Sequence, residues 1–181
     1  KSKKKRQVIG LSALPGTGKT TLGFLIERLL LKMDIKACVV SMDDFYLPSS
    51  EMKIAIKDNP WNVSRGFPGS HSIYLIEERI LEWKNTGRFN YPIFDKSLRN
   101  GLGDRSYWKI DFPEILILEG WFLGVNQISF QRISKENIKP PLLNKEIEYR
   151  SKIQKNLKDY LKIWQLIEKI WQIKPKNFSY M

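Results

Sequence analysis

A run of small and hydroxyl-bearing residues near the start of the chain has the composition of a loop that binds phosphate groups. The run comprises Ala13, Leu14, Pro15, Gly16, Thr17, Gly18, Lys19, Thr20 and Thr21. The apolar residues 8–11 before it are typical of a strand, and residues 22–33 after it are typical of a helix. At such a turn, glycines let backbone N–H groups point at a phosphate beside the positive end of the helix.

Two side chains of this loop have the chemistry of nucleotide binding. Lys19 is expected to reach the β- and γ-phosphates, and the Thr20 hydroxyl is expected to bind Mg²⁺. Ala13 stands where the pattern G-x-x-x-x-G-K-[ST] has its first glycine, which is tolerable because Gly16 and Gly18 are retained. A chance glycine-rich turn is the alternative, and the flanking strand and helix disfavour it. The sequence therefore predicts ATP and Mg²⁺ as cofactors.

Carboxylates follow two further apolar runs. Asp43 and Asp44 come directly after residues 37–42, and Glu119 comes directly after residues 115–118. In an open parallel sheet, ligands bind beyond the carboxyl ends of the strands, so these carboxylates should face the phosphate loop. Asp43 is the candidate catalytic base, which together with Lys19 would act in phosphoryl transfer, and Glu119 is the candidate Mg²⁺ contact. The alternatives are a helix cap for one Asp and a generic strand-end charge for Glu119.

Candidate substrate-binding residues lie in and beside two long loops, residues 45–71 and 87–113. They are Asp44, Tyr46, Arg65, His71, Asp95, Lys96 and Arg105. The pair Arg65 and His71 suits a small anion, and the mixture of Asp and cationic side chains in the second loop suits an acid that bears hydroxyl groups. A lone histidine is more often structural, and composition alone would make both segments solvated turns.

The remaining pattern predicts one α/β domain over residues 1–181, a P-loop NTPase fold with a doubly wound, mostly parallel sheet and helices on both faces. Strands are predicted at residues 7–12, 37–42 and 115–118, and helices at residues 22–33 and 72–85, with a short one near residues 52–57. Residues 87–113 are predicted to be irregular. Apolar positions from Ile153 to Trp171 predict one long amphipathic helix that Pro175 ends.

Composition excludes several classes of protein. The 42% of hydrophobic residues argue against disorder, and no apolar run is long enough to span a membrane or to act as a signal peptide. The single cysteine, Cys38, excludes internal disulfides. The net charge of +12 could indicate nucleic-acid or membrane-surface binding. No nucleic-acid motif is present, so we interpret it as a basic tail at residues 1–6 and a lysine-rich solvent face. We expect a cytoplasmic protein with no nucleic-acid or membrane partner.

The ordered motifs resemble the D-glycerate 3-kinase family and fungal ATP-binding kinase-like proteins, and more distantly phosphoribulokinase, uridine kinase and bacterial pantothenate kinase. Besides the phosphate loop, they are GLS at 10–12, SMDDFYL at 41–47, RGFPGSH at 65–71, FDKS at 94–97, GDR at 103–105 and LEGW at 118–121. The resemblance covers about residues 8–175. Asp43 matches the catalytic Asp of the uridine and pantothenate kinases, and Glu119 matches their magnesium-associated Glu.

The resemblance also implies acceptor-side roles for five residues and an incomplete C-terminus. The five are Arg65, His71, Asp95, Lys96 and Arg105. Glycerate kinases continue with further helices past the region of residues 171–175, so we expect that either the chain is truncated there or it lacks this tail. The predicted function is transfer of the γ-phosphoryl group of ATP to a small hydroxy acid, with D-glycerate first. The alternatives are a kinase for uridine, pantothenate or a sugar phosphate, a non-catalytic ATP-binding regulator, and, more weakly, a nucleic-acid-associated NTPase.

Overall fold

A parallel sheet between helices forms the centre of the computed structural model, which describes residues 6–126 and 139–175. In chain order the elements are β1 (Gln7–Ala13), α1 (Lys19–Leu31), β2 (Ala37–Ser41), a 3₁₀ helix (Met42–Phe45), α2 (Ser49–Ala55), α3 (Ile73–Thr86), β3 (Phe89–Asp95), β4 (Asp104–Asp111), β5 (Ile115–Gly120), α4 (Asn144–Trp164) and β6 (Lys169–Ile173). The four strands of the main sheet are parallel and lie in the order β2-β5-β1-β6.

Helices cover both faces of this sheet. On one face, Ile26 and Leu30 of α1 pack against Leu11 of β1 and Ile117 of β5. On the other face, α3 and α4 bury a larger cluster against β1, β2 and β5; it includes Val8, Val40, Leu116, Leu118, Ile76, Ile80, Trp83, Leu157, Tyr160 and Ile163. Alternate residues of a strand point to opposite faces, so the apolar runs of β1 and β5 supply both clusters. This arrangement confirms the predicted fold class.

The expectation of irregular structure at residues 87–113 is wrong, because this segment forms an antiparallel hairpin of β3 and β4. The hairpin is a separate two-stranded sheet with an irregularity between Ile93 and Phe94. β3 buries Phe89 and Tyr91, whereas most of β4 is exposed. An exposed strand does not need alternation of apolar and polar residues, so β4 lacks the sequence signal of a half-buried strand.

The expectation of one helix up to Trp171 is also wrong. α4 ends at Trp164, and residues 169–173 form β6, which pairs with β1 at the edge of the sheet. Glu168 fixes the entry to β6, because its N–H donates to Val8 O (3.0 Å) and its carboxylate accepts from Val8 N (2.6 Å). Apolar residues at positions 167 and 170 fit either a helix face or a strand, so periodicity could not distinguish the two.

Smaller differences occur at segment ends. β2 stops at Ser41, because the chain turns into the 3₁₀ helix that carries both Asp43 and Asp44. Arg6, which was expected in a solvated tail, donates from Nη1 to Lys84 O at 2.8 Å and so caps the end of α3; residues 1–5 lie outside the described residues. Cys38 is buried.

Within the described ranges, no helix combines the length and the apolar character needed to cross a bilayer. The cytoplasmic location stays a prediction.

Candidate active site

The phosphate loop joins β1 to α1 and leaves the start of α1 open. Gly16 (φ 79°) and Gly18 (φ 80°) have left-handed backbone angles, which side-chain-bearing residues rarely adopt. Gly18 is the N-cap of α1, no side chain caps the helix, and its first turn carries no acidic residue. A Cβ on Gly18 would meet no atom within 4 Å, so the space in front of the helix is free. Free N–H groups at a positive helix end fit a phosphate.

The other loop residues lie where the motif requires them. Ala13 is the last residue of β1 and only 3% exposed, so the sheet accommodates its methyl group. Thr17 donates from Oγ1 to Leu14 O (2.7 Å), which closes the loop on itself. Lys19 Nζ also donates to Leu14 O (3.2 Å) and so lies over the loop. Thr21 is exposed in the first turn of α1. Nucleotide contacts of these residues stay predictions.

Thr20 and Glu119 form a hydrogen-bonded pair of oxygen-bearing side chains at the carboxyl edge of the sheet. Thr20 Oγ1 donates to Glu119 Oε1 at 3.1 Å, although the two residues are 99 positions apart. Glu119 is buried near the end of β5, where it pairs in register with Leu11 of β1 and Ser41 of β2. The described residues contain no cluster of three or more His, Cys, Asp or Glu side chains that could hold a metal. Mg²⁺ at nucleotide sites uses few protein oxygens together with phosphates and water, so this pair fits it.

Asp43 lies on the 3₁₀ helix beyond β2 and contacts a cation. Lys96 Nζ donates to Asp43 Oδ2 at 2.7 Å, and the Tyr46 hydroxyl also donates to this carboxylate. Burial alone would raise the pKa of Asp43, but the hydrogen bond and charge of Lys96, with smaller contributions from Tyr46 and His71, lower it overall. Asp43 is therefore ionised at neutral pH, which a general base requires.

The neighbouring Asp44 has a different set of partners. Its Oδ2 accepts from Ser41 N (3.3 Å) and its Oδ1 accepts from Phe94 N (3.2 Å), so it ties the end of β2 to β3. Burial is the main cause that raises the pKa of Asp44. Both oxygens accept from backbone donors, and the predicted substrate-binding role stays a prediction. We now interpret Asp44 as a residue that holds the 3₁₀ helix in place.

Tyr46 and His71 are buried together behind Asp43. Their backbones form an isolated antiparallel bridge, and their rings stack with centroids 4.5 Å apart. His71 Nδ1 lies 2.8 Å from the Tyr160 hydroxyl, while Nε2 has no hydrogen-bond partner among the described residues. Burial lowers the pKa of His71 to about 4, so the imidazole is neutral at pH 7.

Three of the predicted substrate-binding residues make hydrogen bonds that brace the loops. Arg65 Nη1 donates to Gly101 O (3.0 Å) and Leu102 O (2.8 Å), which joins the first loop to the β3–β4 turn. Arg105 Nε donates to Tyr46 O at 3.0 Å, and burial lowers the pKa of this guanidinium. The exposed Asp95 accepts from Ser97 N and Oγ in a local turn. Their partners are backbone groups and a nearby serine, which sequence spacing does not show, and the substrate-binding role of these residues stays a prediction.

Sequence reasoning missed three residues that hold the segment 66–71. Trp121 Nε1 donates to Gly66 O (2.7 Å), Asn156 Nδ2 donates to Pro68 O (3.1 Å), and Tyr160 binds Gly69 N (3.0 Å) as well as His71. Trp121 ends the LEGW motif, which could have indicated it. The two α4 residues gave no signal, because Tyr160 belongs to an apolar stripe and Asn156 is an ordinary polar helix residue.

The fold and the site define a class. A parallel α/β sheet with a phosphate loop, the hydrogen-bonded Thr20–Glu119 pair and an ionised Asp beside the same sheet edge fits the arrangement of a P-loop kinase. No protein-family model matches the chain. The chain is 32% identical to the chloroplastic D-glycerate 3-kinase of Arabidopsis thaliana, over 96% of this chain and 39% of the plant protein.

The chain is also similar to fungal kinases. The chain is 27% identical to an uncharacterized kinase of Schizosaccharomyces pombe, over 96% of this chain and 66% of that protein. The solved structure of D-glycerate 3-kinase from Cryptococcus neoformans has a TM-score of 0.81 at 28% identity, covering 97% of this chain and 66% of that one. The chain thus spans between 39% and 66% of the length of these relatives. Its fold is that of the P-loop kinases, and the chain is similar to D-glycerate 3-kinases of a plant and a fungus and to a further fungal kinase.

Proposed function

We propose that this protein transfers the γ-phosphoryl group of ATP to a hydroxyl group of a small hydroxy acid, with D-glycerate as the first acid to test. The observation that carries the proposal is the contact between Asp43 and Lys96 (2.7 Å) at the sheet edge that also bears the phosphate loop. A carboxylate base beside a cation suits an acceptor that carries both a hydroxyl and a carboxylate.

The nucleotide half of the mechanism uses the phosphate loop. The N–H groups at the start of α1 and the Lys19 ammonium would hold the β- and γ-phosphates, where negative charge increases during transfer. Thr20 and Glu119 would hold Mg²⁺, which when bound neutralises phosphate charge. No nucleophilic side chain is required, because the catalysis consists of positioning and electrostatic stabilisation.

The acceptor half uses Asp43 and Lys96. Asp43 would orient the attacking hydroxyl and accept its proton as the new bond to phosphorus forms. The Lys96 side chain is 56% exposed, so it can turn toward the carboxylate of an acid while it stays near Asp43. Arg65 and Arg105 would act indirectly, by keeping the hairpin and the 66–71 segment against Tyr46.

The alternatives within the kinase class differ in what they must bind. A nucleoside acceptor would need exposed aromatic rings for its base, but Tyr46 and Phe94 are buried against each other, with ring centroids 5.0 Å apart. This packing leaves neither ring available for base stacking, whereas Trp121 beside Gly66 is 37% exposed, so the acceptor assay includes uridine. We propose ATP and the small acid as its partners, with no nucleic acid among them.

A coupled assay of ADP release tests the proposal. Mg-ATP is supplied with D-glycerate, uridine, pantothenate or no acceptor, and the phosphorylated product is identified by mass spectrometry. We expect release to increase at least ~10-fold over the acceptor-free rate with the hydroxy acid alone. Turnover only with uridine or pantothenate would overturn the acceptor assignment. ATP binding without turnover on any acceptor would identify a nucleotide-binding regulator instead.

A further inference from the structure

Two side chains of helix α4, one helical turn apart, form hydrogen bonds with the segment 66–71. Asn156 Nδ2 donates to Pro68 O at 3.1 Å. The Tyr160 hydroxyl accepts from Gly69 N at 3.0 Å and lies 2.8 Å from His71 Nδ1. Tyr160 is fully buried, so water does not compete for these bonds. A buried hydroxyl that bridges a backbone amide and an imidazole also influences the tautomer of the imidazole, because it limits which ring nitrogen can carry the proton.

Counting donors and acceptors selects one tautomer of His71. Burial raises the pKa of Tyr160, so its hydroxyl keeps its single proton. The oxygen already accepts from Gly69 N, and the backbone N–H of His71 also interacts with it. If Nδ1 carried the imidazole proton, the Tyr160 proton would have no acceptor among the described residues. If the hydroxyl donates to Nδ1, all these groups are satisfied and the imidazole proton is on Nε2.

Ser70 offers no competing arrangement. Its Oγ lies 3.5 Å from His71 Nδ1, which is too long for an effective hydrogen bond. Its own proton goes to Phe67 O at 2.7 Å, and its oxygen accepts from Gly66 N at 3.3 Å. Tyr160 is therefore the group that sets the state of Nδ1.

Because Nδ1 of His71 accepts from Tyr160, the imidazole proton lies on the other ring nitrogen, Nε2. Nε2 is buried and has no partner within the described ranges of the chain, and an unpaired buried N–H is costly. The ring stacks on Tyr46, whose hydroxyl donates to Asp43. A buried polar group without a partner requires an explanation, and a ligand atom that accepts its hydrogen bond supplies one beside the candidate base Asp43.

We propose that Tyr160 is a positioning residue that holds neutral His71 with its proton on Nε2, so that the imidazole presents an N–H donor to an oxygen of the acceptor substrate. The proposal rests on the proposed function, because Asp43 marks the acceptor side. Tyr160 itself lies behind the site. It would influence the reaction only through its hydrogen bond with His71.

Nitrogen NMR of the single histidine tests the tautomer directly. The untagged protein is labelled with ¹⁵N-histidine, and His71 is the only histidine in the chain, so the two ring signals need no assignment to a residue. We expect Nδ1 to have the shift of an unprotonated nitrogen and Nε2 that of a protonated one at pH 7. A protonated Nδ1 in the wild-type protein would overturn the proposal without any variant.

Two matched variants of α4 test the cause. Tyr160→Phe removes the hydroxyl and keeps the ring, so we expect the tautomer population of His71 to change. Tyr149→Phe removes a buried hydroxyl of the same helix that has no partner among the described residues, so the ring signals should stay as in the wild type. Unchanged signals in Tyr160→Phe, or equal changes in both variants, would refute the role of Tyr160.

Kinetics separates positioning from general destabilisation. Loss of one oriented hydrogen bond predicts an increase of about 5- to 10-fold in KM for the acid in Tyr160→Phe, while KM for ATP changes less than about 2-fold. Equal increases in both KM values would reject an acceptor-specific role. The NMR result does not depend on turnover, so a protein that fails to phosphorylate D-glycerate but shows the expected tautomer switch would contradict only the proposed substrate.

Discussion

Asp43 and Asp44 are adjacent carboxylates with opposite electrostatic environments. Asp43 is paired with the Lys96 ammonium, which lowers its pKa against the effect of burial, whereas Asp44 accepts from two backbone amides and burial raises its pKa. A 3₁₀ helix rotates successive side chains by about a third of a turn, so one residue faces the site and the next faces the scaffold. The two substitutions to Asn should therefore fail in different ways.

We expect Asp43→Asn to lower turnover by ~10²-fold or more with little change in Mg-ATP affinity, because the amide can neither accept the proton nor align the hydroxyl as a base. Asp44→Asn should instead lower the free energy of unfolding by about 1–3 kcal/mol, because it weakens a half-buried acceptor of backbone N–H groups. Steady-state turnover, calorimetric ATP binding and urea unfolding measure these effects. Equal turnover losses without a difference in stability would contradict this separation.

Lys19 can be tested independently of the acceptor. We expect Lys19→Ala to weaken ATP binding and to reduce turnover by more than ~100-fold, because the variant lacks a cation beside the migrating phosphoryl group. Its stability should change little, since Nζ makes a single hydrogen bond to Leu14 O. Lys155→Ala on the exposed side of α4 is the control for loss of one positive charge. Turnover near that of the control would argue against the assignment of the phosphate loop.

The sequence predicted the positions of those candidate residues whose partners are nearby in sequence or lie at a common strand end, and their roles stay predictions. The phosphate loop is one local motif, and the Thr20–Glu119 contact follows from two parallel strands that end at the same edge. Arg65 and Arg105 are predicted to bind the substrate, but a guanidinium in a polar loop does not reveal that it also donates to backbone carbonyls. Tyr160 was missed for the same reason, since its hydroxyl acts on a residue 89 positions away.

At the scale of elements, prediction succeeded where burial imposes a pattern. β1, β2 and β5 have apolar runs because helices cover both of their faces, and α3 has apolar residues at helical spacing. β4 is exposed and β6 lies at the sheet edge. Neither strand therefore has the alternation of apolar and polar residues that would indicate a strand in the sequence. The register of β6 depends on Glu168 meeting Val8, a tertiary contact that local sequence does not encode.

The packing of α1 on the sheet depends on a glycine in the helix interior. A Cβ on Gly23 would lie 2.9 Å from Val39 Cγ1 of β2, which is too close for a real contact. Gly23→Ala gains ~1 kcal/mol of helix propensity but must move α1 or the stiff valine, at a cost of ~1–3 kcal/mol. We expect a net destabilisation of about 1 kcal/mol, measured by urea unfolding.

A second substitution supplies the control for this prediction. In a Val39→Ala background the clash is absent, so adding Gly23→Ala should be neutral or stabilising by up to ~1 kcal/mol. The sign of the Gly23→Ala effect should therefore reverse between the two backgrounds. The same destabilisation in both would mean that helix packing at Gly23 is not the cause.

At the scale of the whole molecule, stability should depend on pH through one imidazole. The pKa of His71 falls from its ordinary value of 6.5 to about 4 in the folded protein because of burial. The unfolded chain therefore binds one more proton than the native state between these values. Stability is fully present above pH 6.5 and decreases as the pH falls toward about 4, by ~1.4 kcal/mol per pH unit at most.

Urea unfolding at pH 7, 6, 5 and 4.5 checks this dependence, with His71→Asn as the comparison. The raised pKa values of Glu27 and Asp44 act in the opposite direction, so the difference between the wild type and the variant isolates the imidazole. The wild type should lose stability faster than His71→Asn as the pH falls. Parallel curves for the two proteins would show that His71 is already charged or solvated in the native state.

The pairing of β1 with β6 has a consequence for synthesis of the chain. Val8 and Glu168 are 160 residues apart, and Ala13, at the base of the phosphate loop, pairs with Ile173. At about 5–20 residues per second, a ribosome needs roughly 8–30 s to make the intervening chain. Throughout that interval β1 has an unpaired edge, which is the kind of surface on which nascent chains associate wrongly. The phosphate loop is thus translated early, but the strand beside it receives its last neighbour only when translation has passed β6.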